Sequence, residues 1–306
     1  MNSLSPVFSE IEKRRLPETN EPRRLFHGRG QTTPGFERLT IDWYPSIAIV
    51  TLQETWEGDR LRQLRDGLVN LLGNRLEGIV AQDRSRKANN ATLLFGSVPA
   101  HLDICEEGLS YRIEPLAAQN IGFFPDMKPG RQLVRTIADG KKVLNLFAYT
   151  CSLSVAAIAG GASAVVNLDM NRNLLDRGRE NHRLNGHDLR CVTFLPHNLF
   201  KTFGRLRREG PFDLVILDPP YRQGESFQAE RDWPKMLRRM PELLATGGEI
   251  IAAVSAPELG RCFLREQFAG CLPQAELITE RTAGSDFPEA DPDKGLHILH
   301  YRLNTA

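Results

Sequence analysis

Four polar stations mark the second half of this 306-residue chain: Asn145 to Ser152, Asp169, His197-Asn198, and Asp218-Pro219-Pro220-Tyr221. Each follows a short apolar run. Asp169 lies about twenty residues past the turn after the first run, a spacing at which a carboxylate can accept both hydroxyls of a ribose. No G-x-G-x-x-G cradle accompanies it. A dinucleotide's pyrophosphate would lack its site, whereas a nucleoside without phosphates needs none. Bland readings stand beside these. Asp169 also suits a helix N-cap, and Asp218 a turn at a strand end. Phe147 and Tyr149 equally suit packing positions. His27 and His197 read as structural or solvent-facing, since no partner carboxylate is evident for either. Cys151 reads as a small buried residue rather than a nucleophile.

The runs that carry these stations alternate with helical stretches. Val143-Leu144-Asn145-Leu146-Phe147 is nearly continuous in apolar residues, as a strand buried on both faces requires. Ala164–Asp169, Cys191–Leu195, Asp213–Asp218 and Glu249–Val254 repeat the pattern. Helical segments at 154–159 and 171–184, and one ending at Gly247-Gly248, separate them. Strands alternating with helices mean an α/β fold with a Rossmann-like, doubly wound parallel sheet, whose ligands sit beyond the carboxyl ends of the strands. All four stations lie at such ends. Before Lys141 the pattern differs. Leu39–Tyr44, Ile47–Leu52, Gly78–Ala81 and Leu109–Ile113 read as strands, and Leu61, Leu64, Leu68, Leu71 and Leu72 recur at helical spacing. That predicts a small N-terminal α+β domain (β-β-α-β-β) over 25–115, after a polar lead or docking helix over 1–24. The doubly wound domain then spans 116–306.

Composition narrows the class. Hydrophobic residues at 41% and charged residues at 25% exclude wholesale disorder. No apolar run approaches the roughly 18 residues of a membrane span, and Met1–Pro6 lacks the character of a secretory signal. Five cysteines without a C-x-x-C pair argue against a disulfide framework and a Cys-rich zinc site, so no metal is expected and the cytoplasm is the default location. Lys plus Arg (39) balances Asp plus Glu (38). Any nucleic-acid contact must come from local patches: Arg84-Ser85-Arg86-Lys87, Arg205-Leu206-Arg207-Arg208, or Lys235 with Arg238 and Arg239. Each also suits a solvated face.

The chain resembles class I S-adenosylmethionine-dependent methyltransferases, in particular the branch that methylates bases of large-subunit ribosomal RNA. Val143–Thr150 is similar to that branch's first motif, and Asn167-Leu168-Asp169-Met170 to its acidic second. Leu25–Gly30, running on to Pro34-Gly35, resembles the opening of the family's small central domain. Gln119–Lys128 resembles the segment that covers the cofactor, and Asp286-Phe287-Pro288 an Asp-His-Pro turn before the last strand. The similarity covers about residues 25–303. Departures accompany it. Cys151 and Ser152 stand where the family often has two small residues led by Gly. Asn198 replaces an Asp that accepts a hydrogen bond from the adenine amino group, which an amide oxygen can also do. The N-terminal RNA-binding module of many relatives has no counterpart here. Cytosine-C5 members carry a nucleophilic Cys after the fifth strand; this chain reads Val254-Ser255-Ala256, which supplies no thiolate to attack C6.

The resemblance implies S-adenosylmethionine as cofactor, held by Asn145, Phe147, Ala148, Tyr149, Ser152, Asp169, Met170 and Asn198, with Lys128 pairing with the methionine carboxylate. Asp218-Pro219-Pro220-Tyr221 resembles the motif of enzymes that methylate nitrogen on planar substrates. Asp218 and the Pro219 carbonyl would accept hydrogen bonds from an amino group, and Tyr221 would stack on the base. The expected activity is methylation of a base nitrogen in ribosomal RNA. Two other readings remain: a cofactor-binding RNA module without turnover, and methylation of a protein or small molecule.

Overall fold

Alternation of β-prone segments with leucines at helical spacing produces, in the computed structural model, two units packed around separate cores. Residues 3–14, 20–85, 90–117, 119–256 and 258–304 are described. One unit comprises Met1–Asp126 with Gly284–Asp291, the other Met127–Ala283 with Pro292–Ala306.

The first unit opens with α1 (Ser5–Lys13), whose Val7 and Ile11, one turn apart, are buried. Together with Leu4 they join the core of the unit, so the lead packs as a helix; Pro17 lies outside the described residues. A five-stranded sheet follows in the order β1 (Arg23–His27), β2 (Leu39–Tyr44), β3 (Ile47–Leu52), β4 (Gly78–Asp83) and β5 (Asn90–Gly96). Helix α2 (Gly58–Leu72) makes the crossover between β3 and β4, which pair in parallel, and buries Leu64, Leu68 and Leu72 against the sheet. Full burial of one such leucine is worth about 1.5–3 kcal/mol. Strands β6 (Leu102–Glu106) and β7 (Leu109–Ile113) form a hairpin of their own. Strands β1, β5 and β6 were not evident in the sequence. The first begins on two arginines, and the second is an edge strand with no fully buried side chain. Late in the chain, 284–291 returns to this unit: Ala290 N–H donates to the Gly30 carbonyl at 2.7 Å. A Cβ on Gly30 would stand 1.8 Å from the Pro288 carbonyl oxygen, so only glycine fits there.

The second unit runs α3 (Lys128–Ile137), β8 (Lys142–Leu146), α4 (Ser152–Ala159), β9 (Ala164–Asp169), α5 (Arg172–Leu184), β10 (Val192–Pro196), α6 (Phe203–Glu209) and β11 (Phe212–Leu217). It continues through β12 (Arg222–Gln223), β13 (Phe227–Gln228), α7 (Ala229–Leu237), β14 (Leu244–Val254), α8 (Arg261–Cys271), β15 (Ala275–Thr282) and β16 (His297–Leu303). Seven strands make one sheet, ordered β10-β9-β8-β11-β14-β16-β15. The first five are parallel, and β16 pairs antiparallel with both β14 and β15. Successive strands step outward from β8 on one side and from β11 on the other. The switch point therefore lies at the carboxyl ends of β8 and β11, where Rossmann-like sheets bind their ligands. One sheet face buries an apolar layer that includes Leu144, Leu146, Val166, Leu168, Val215 and Leu217. The other carries a buried polar chain. Asn145 Nδ2 donates to Asn167 Oδ1 at 2.9 Å, Asn167 Nδ2 to Ser154 Oγ at 3.0 Å, and Ser154 Oγ meets His182 Nε2 at 2.9 Å. Among the described residues no helix is long and apolar enough to cross a membrane.

Candidate functional site

The loop from β8 to α4 carries no glycine, yet Phe147, Tyr149 and Cys151 all have positive φ, at 58°, 49° and 62°. Each such residue costs roughly 1–3 kcal/mol and persists only where its surroundings hold it. The loop is held from several sides. Ala148 N–H donates to the Leu168 carbonyl at 3.1 Å, and Cys151 N–H to the Ala148 carbonyl at 2.7 Å. Tyr149 N–H donates to Asp169 Oδ2 at 3.0 Å. Asp169, at the end of β9, also accepts the Asn171 N–H at 2.9 Å on Oδ1. Its carboxyl sits above the usual range because burial outweighs these backbone hydrogen bonds. Asp169 is not the N-cap of α5; Asn171 is, accepting from the amides of Asn173 and Leu174.

A cleft opens beside this carboxylate. It is lined by Phe147, Leu168, Asp169, Met170, Asn198, Leu199, Phe200, Gln223, Ser226 and Phe227. Asn198 follows β10; its Oδ1 accepts the Phe200 N–H at 2.9 Å and its Nδ2 approaches Met170 Sδ at 3.5 Å. An amide oxygen has a second lone pair, so Asn198 can still accept from a ligand. Met170, 40% exposed, forms an apolar wall. On the far side the β12–β13 hairpin brings Phe227 edge-on to Phe147, with ring centroids 4.9 Å apart. Among the described residues, the lining carries one carboxylate and no cation. Apolar walls, a carboxylate and an amide suit an uncharged ring with a diol and offer nothing to a phosphate.

Asp218 and Pro219 follow β11 half-buried, and Tyr221 stands 39% exposed. The start of α7 clamps Tyr221 twice. Its carbonyl accepts the Ala229 N–H at 3.0 Å, and its hydroxyl donates to Glu230 Oε1 at 3.0 Å. The Glu230 hydrogen bond and charge raise the tyrosine's pKa above its usual value. The ring is thereby presented at the sheet end with its hydroxyl fixed.

Of the residues expected to bind a cofactor, Phe147, Asp169, Met170 and Asn198 line the cleft. Ala148 and Tyr149 lie in the loop behind it, Ser152 opens α4 and Lys128 opens α3. Asn145 is buried and turned to Asn167 on the neighbouring strand. Gln223, Ser226 and Phe227 escaped the sequence reading, because a two-residue strand leaves no periodicity; the glycine of Gly224-Glu225, at φ 52°, was the available turn signal. Leu199 and Phe200, an apolar pair straight after Asn198, were legible in principle. His197 faces Arg205 at 3.4 Å near the surface. Cys151 is fully buried, and burial pushes its thiol pKa well up, which makes it a poor nucleophile. Among the described residues no group of three His, Cys, Asp or Glu is placed to hold a metal ion.

The basic patches are largely paired with nearby carboxylates. Arg205 meets Glu209 at 3.6 Å, Arg207 meets Glu242 at 3.3 Å, Arg239 also pairs with Glu242, and Lys235 meets Asp232 at 2.9 Å. Arg84 donates to the Gln82 side chain and the Gln119 carbonyl, while Arg86 and Lys87 lie outside the described residues. Three other cations stand out. Arg172, Lys201 and Arg222 are exposed and each lies within two residues of a cleft-lining residue, with no ion-pair partner among the described residues.

Comparison with known proteins bears on this geometry. The profile of a family described as S-adenosylmethionine-dependent methyltransferase matches residues 23–302. A ribosomal RNA large subunit methyltransferase I of Aeromonas hydrophila is 33% identical over 222 residues, covering 67% of this chain and 56% of that protein. Its counterpart in Erwinia tasmaniensis is 27% identical over 290 residues, covering 89% of this chain and 72% of that one. The chain thus spans little more than half the length of the first of these relatives. Among solved structures, one described as a SAM-dependent methyltransferase from Streptococcus mutans superposes with a TM-score of 0.85 at 24% identity, over 99% of this chain and 82% of that one. The tRNA m1G37 methyltransferase of M. jannaschii gives 0.63 at 15% identity, over 87% and 72%.

Proposed function

Because the chain belongs to the S-adenosylmethionine-dependent methyltransferases, we propose that it transfers a methyl group to a base nitrogen of ribosomal RNA. The observation that carries this reading is Tyr221: an exposed ring, clamped through Glu230 and Ala229, two positions beyond the Asp218-Pro219 pair at the switch point. The relatives named as large-subunit ribosomal RNA methyltransferases, and the three exposed cations within two residues in sequence of cleft-lining residues, support a polyanionic substrate. With such a substrate, the proposed location is the cytoplasm.

The residues present fit the cofactor. Asp169 would hold the ribose hydroxyls, and Asn198 Oδ1 the adenine amino group. Met170, Leu199, Phe200 and Phe147 would enclose the ring, and the loop of Ala148, Tyr149 and Ser152 would face the amino-acid end. When bound, S-adenosylmethionine supplies an electrophilic methyl whose leaving group is a neutral thioether. Little covalent chemistry remains for the protein, so its contribution is mostly positioning. Asp218 and the Pro219 carbonyl accept N–H bonds from the target nitrogen and turn its lone pair toward the methyl. Asp218 is also the acceptor for the proton that nitrogen must lose. Tyr221 stacks on the base, worth about 1–3 kcal/mol, and a base in a duplex must first be flipped out. A C5 pathway finds no thiol in Val254-Ser255-Ala256.

Transfer of radiolabelled methyl to large-subunit ribosomal RNA lacking its natural modifications, followed by nucleoside mass spectrometry, tests the proposal. Label removed by nuclease and found on a base nitrogen is the expected result. Label removed only by protease, a 5-methylcytosine product, or binding of cofactor and RNA without transfer would overturn it.

A further inference from the structure

The glycine-free loop over 147–151 has one continuous backing. Leu175, Gly178 and the adjacent pair Asn181 and His182, which follow one another by about one helical turn on α5, are the buried residues of that helix. Each meets the loop or the helix it leads into. Leu175 packs with Ala148 and Cys151. Gly178 yields its side-chain space to Cys151, since a Cβ there would stand 2.4 Å from the Cys151 sulfur. Asn181 Nδ2 donates to the Thr150 carbonyl at 2.8 Å, both residues being fully buried. His182 Nε2 meets Ser154 Oγ at 2.9 Å. Residues other than glycine rarely adopt the left-handed conformation that Phe147, Tyr149 and Cys151 share, so something outside the loop must hold it. The buried face of α5 touches it in sequence from Ala148 to Ser154.

We propose that Asn181 is a positioning residue for the cofactor: through the Thr150 carbonyl it keeps the strained loop in its binding geometry before any ligand arrives. Two features of the cleft depend on that geometry. One is the placing of Phe147 in the wall; the other is the Tyr149 N–H that braces the Asp169 carboxylate. Cys151 carries a side chain at a left-handed position, and Gly178 is the complementary gap. The inference rests on the reading that this cleft takes S-adenosylmethionine.

Calorimetric titration with S-adenosylhomocysteine, alongside thermal unfolding, separates positioning from bulk stability. The set is wild type, Asp169→Ala, Asn181→Ala, the near-isosteric Asn181→Asp, Asn181→Ala/Cys151→Gly, and Leu264→Ala as a destabilised reference. Leu264 is fully buried on α8, in the core of the apolar sheet face. Both single Asn181 variants should bind about tenfold more weakly, while Leu264→Ala lowers the melting temperature with affinity unchanged. Adding Cys151→Gly, which takes the left-handed conformation freely, should restore part of the lost affinity. Amide hydrogen exchange at Cys151 in the ligand-free protein should quicken in the single Asn181 variants and not in Leu264→Ala. Asn181 variants with wild-type affinity and unchanged loop exchange overturn the inference alone. Absence of binding by wild type, or wild-type affinity in Asp169→Ala, overturns the cleft reading and this inference with it.

Discussion

The imidazole of His27 and the carboxylate of Glu289 meet at 3.1 Å although 262 positions separate them. On the other side of the ring, Arg24 Nη1 lies 2.7 Å from His27 Nδ1. A guanidinium can only donate, so Nδ1 accepts and the proton resides on Nε2, pointing at Glu289. Burial pushes the His27 pKa down, and Arg24 and Arg29 add to that against the Glu289 hydrogen bond. The ring is therefore neutral and tautomerically fixed. Arg24 is tied in turn to Asp42 at 2.5 Å, so one chain of contacts fastens β1, β2 and the returning segment 284–291. His27, for which no carboxylate was evident in the sequence, has one after all, in a structural role.

Glu289→Ala should leave the buried His27 N–H unpaired and destabilise the first unit by about 1–3 kcal/mol. Denaturant unfolding followed by Trp43 fluorescence would measure it. A double-mutant cycle with His27→Ala should return a clear coupling energy, and strict additivity would refute the contact.

His182 is a pH lever. Burial, with His187 at 3.0 Å, lowers its pKa to about 3 from 6.5. A depressed folded-state pKa means that the unfolded chain takes the proton first. The contribution is thus complete above about pH 6.5 and is lost as pH falls toward 3. At pH 5 the loss from this group alone should be about 2 kcal/mol. Unfolding curves at pH 8 and pH 5 for wild type and His182→Gln would show it; equal pH slopes in the two proteins would contradict it.

The Asp169 pKa is shifted the other way, upward, yet its effect too is lost on acidification. Its raised pKa means that the ionised form, which accepts hydroxyl hydrogen bonds, is lost at a higher pH than for an ordinary aspartate. Affinity for S-adenosylhomocysteine should fall as pH drops through that raised value. Asp169→Asn should bind at least about tenfold more weakly at neutral pH and lose the pH dependence. Calorimetry across pH 4 to 8 tests both expectations.

Asp218→Ala should reduce turnover by about 10² or more while leaving S-adenosylhomocysteine affinity near wild type, because its carboxylate serves the substrate. Tyr221→Phe keeps the ring and loses the Glu230 tether, so it should retain most activity; Tyr221→Ala should not. Single-turnover methyl transfer separates these cases. A parallel loss of cofactor binding in Asp218→Ala would reassign that residue.

The three exposed cations within two residues in sequence of the cleft lining should reveal themselves through salt. If Arg172, Lys201 and Arg222 each neutralise one phosphate of single-stranded RNA, replacing all three by Ala should lower the slope of log K against log salt by about 2. The matching triple change at Arg205, Arg207 and Arg239, whose charges are met by Glu209 and Glu242, should alter it much less. Fluorescence anisotropy at several salt concentrations gives both slopes.

Much of the fold was legible in the sequence because it depends on local properties. A near-continuous apolar run such as Val143–Leu146 suits a strand covered on both faces, and five such runs separated by helical stretches point to a parallel sheet; Phe147, next in that run, already belongs to the loop. That topology places Asp169, Asn198 and Asp218 at one sheet end whatever their side chains do, since the carboxyl ends of parallel strands share an edge. Other features depend on contacts between remote residues, to which periodicity is blind. Tertiary structure alone decided that Phe227, on a two-residue strand, closes the cleft against Phe147. It alone assigned the N-cap of α5 to Asn171 rather than Asp169, and turned Asn145 to Asn167 behind the cleft. The pairing of Arg207 with Glu242 and the return of Glu289 to His27 are of the same kind. A side chain's type and local pattern set which chemistry it is able to do; which partner it meets is set by where the folded chain brings distant segments together.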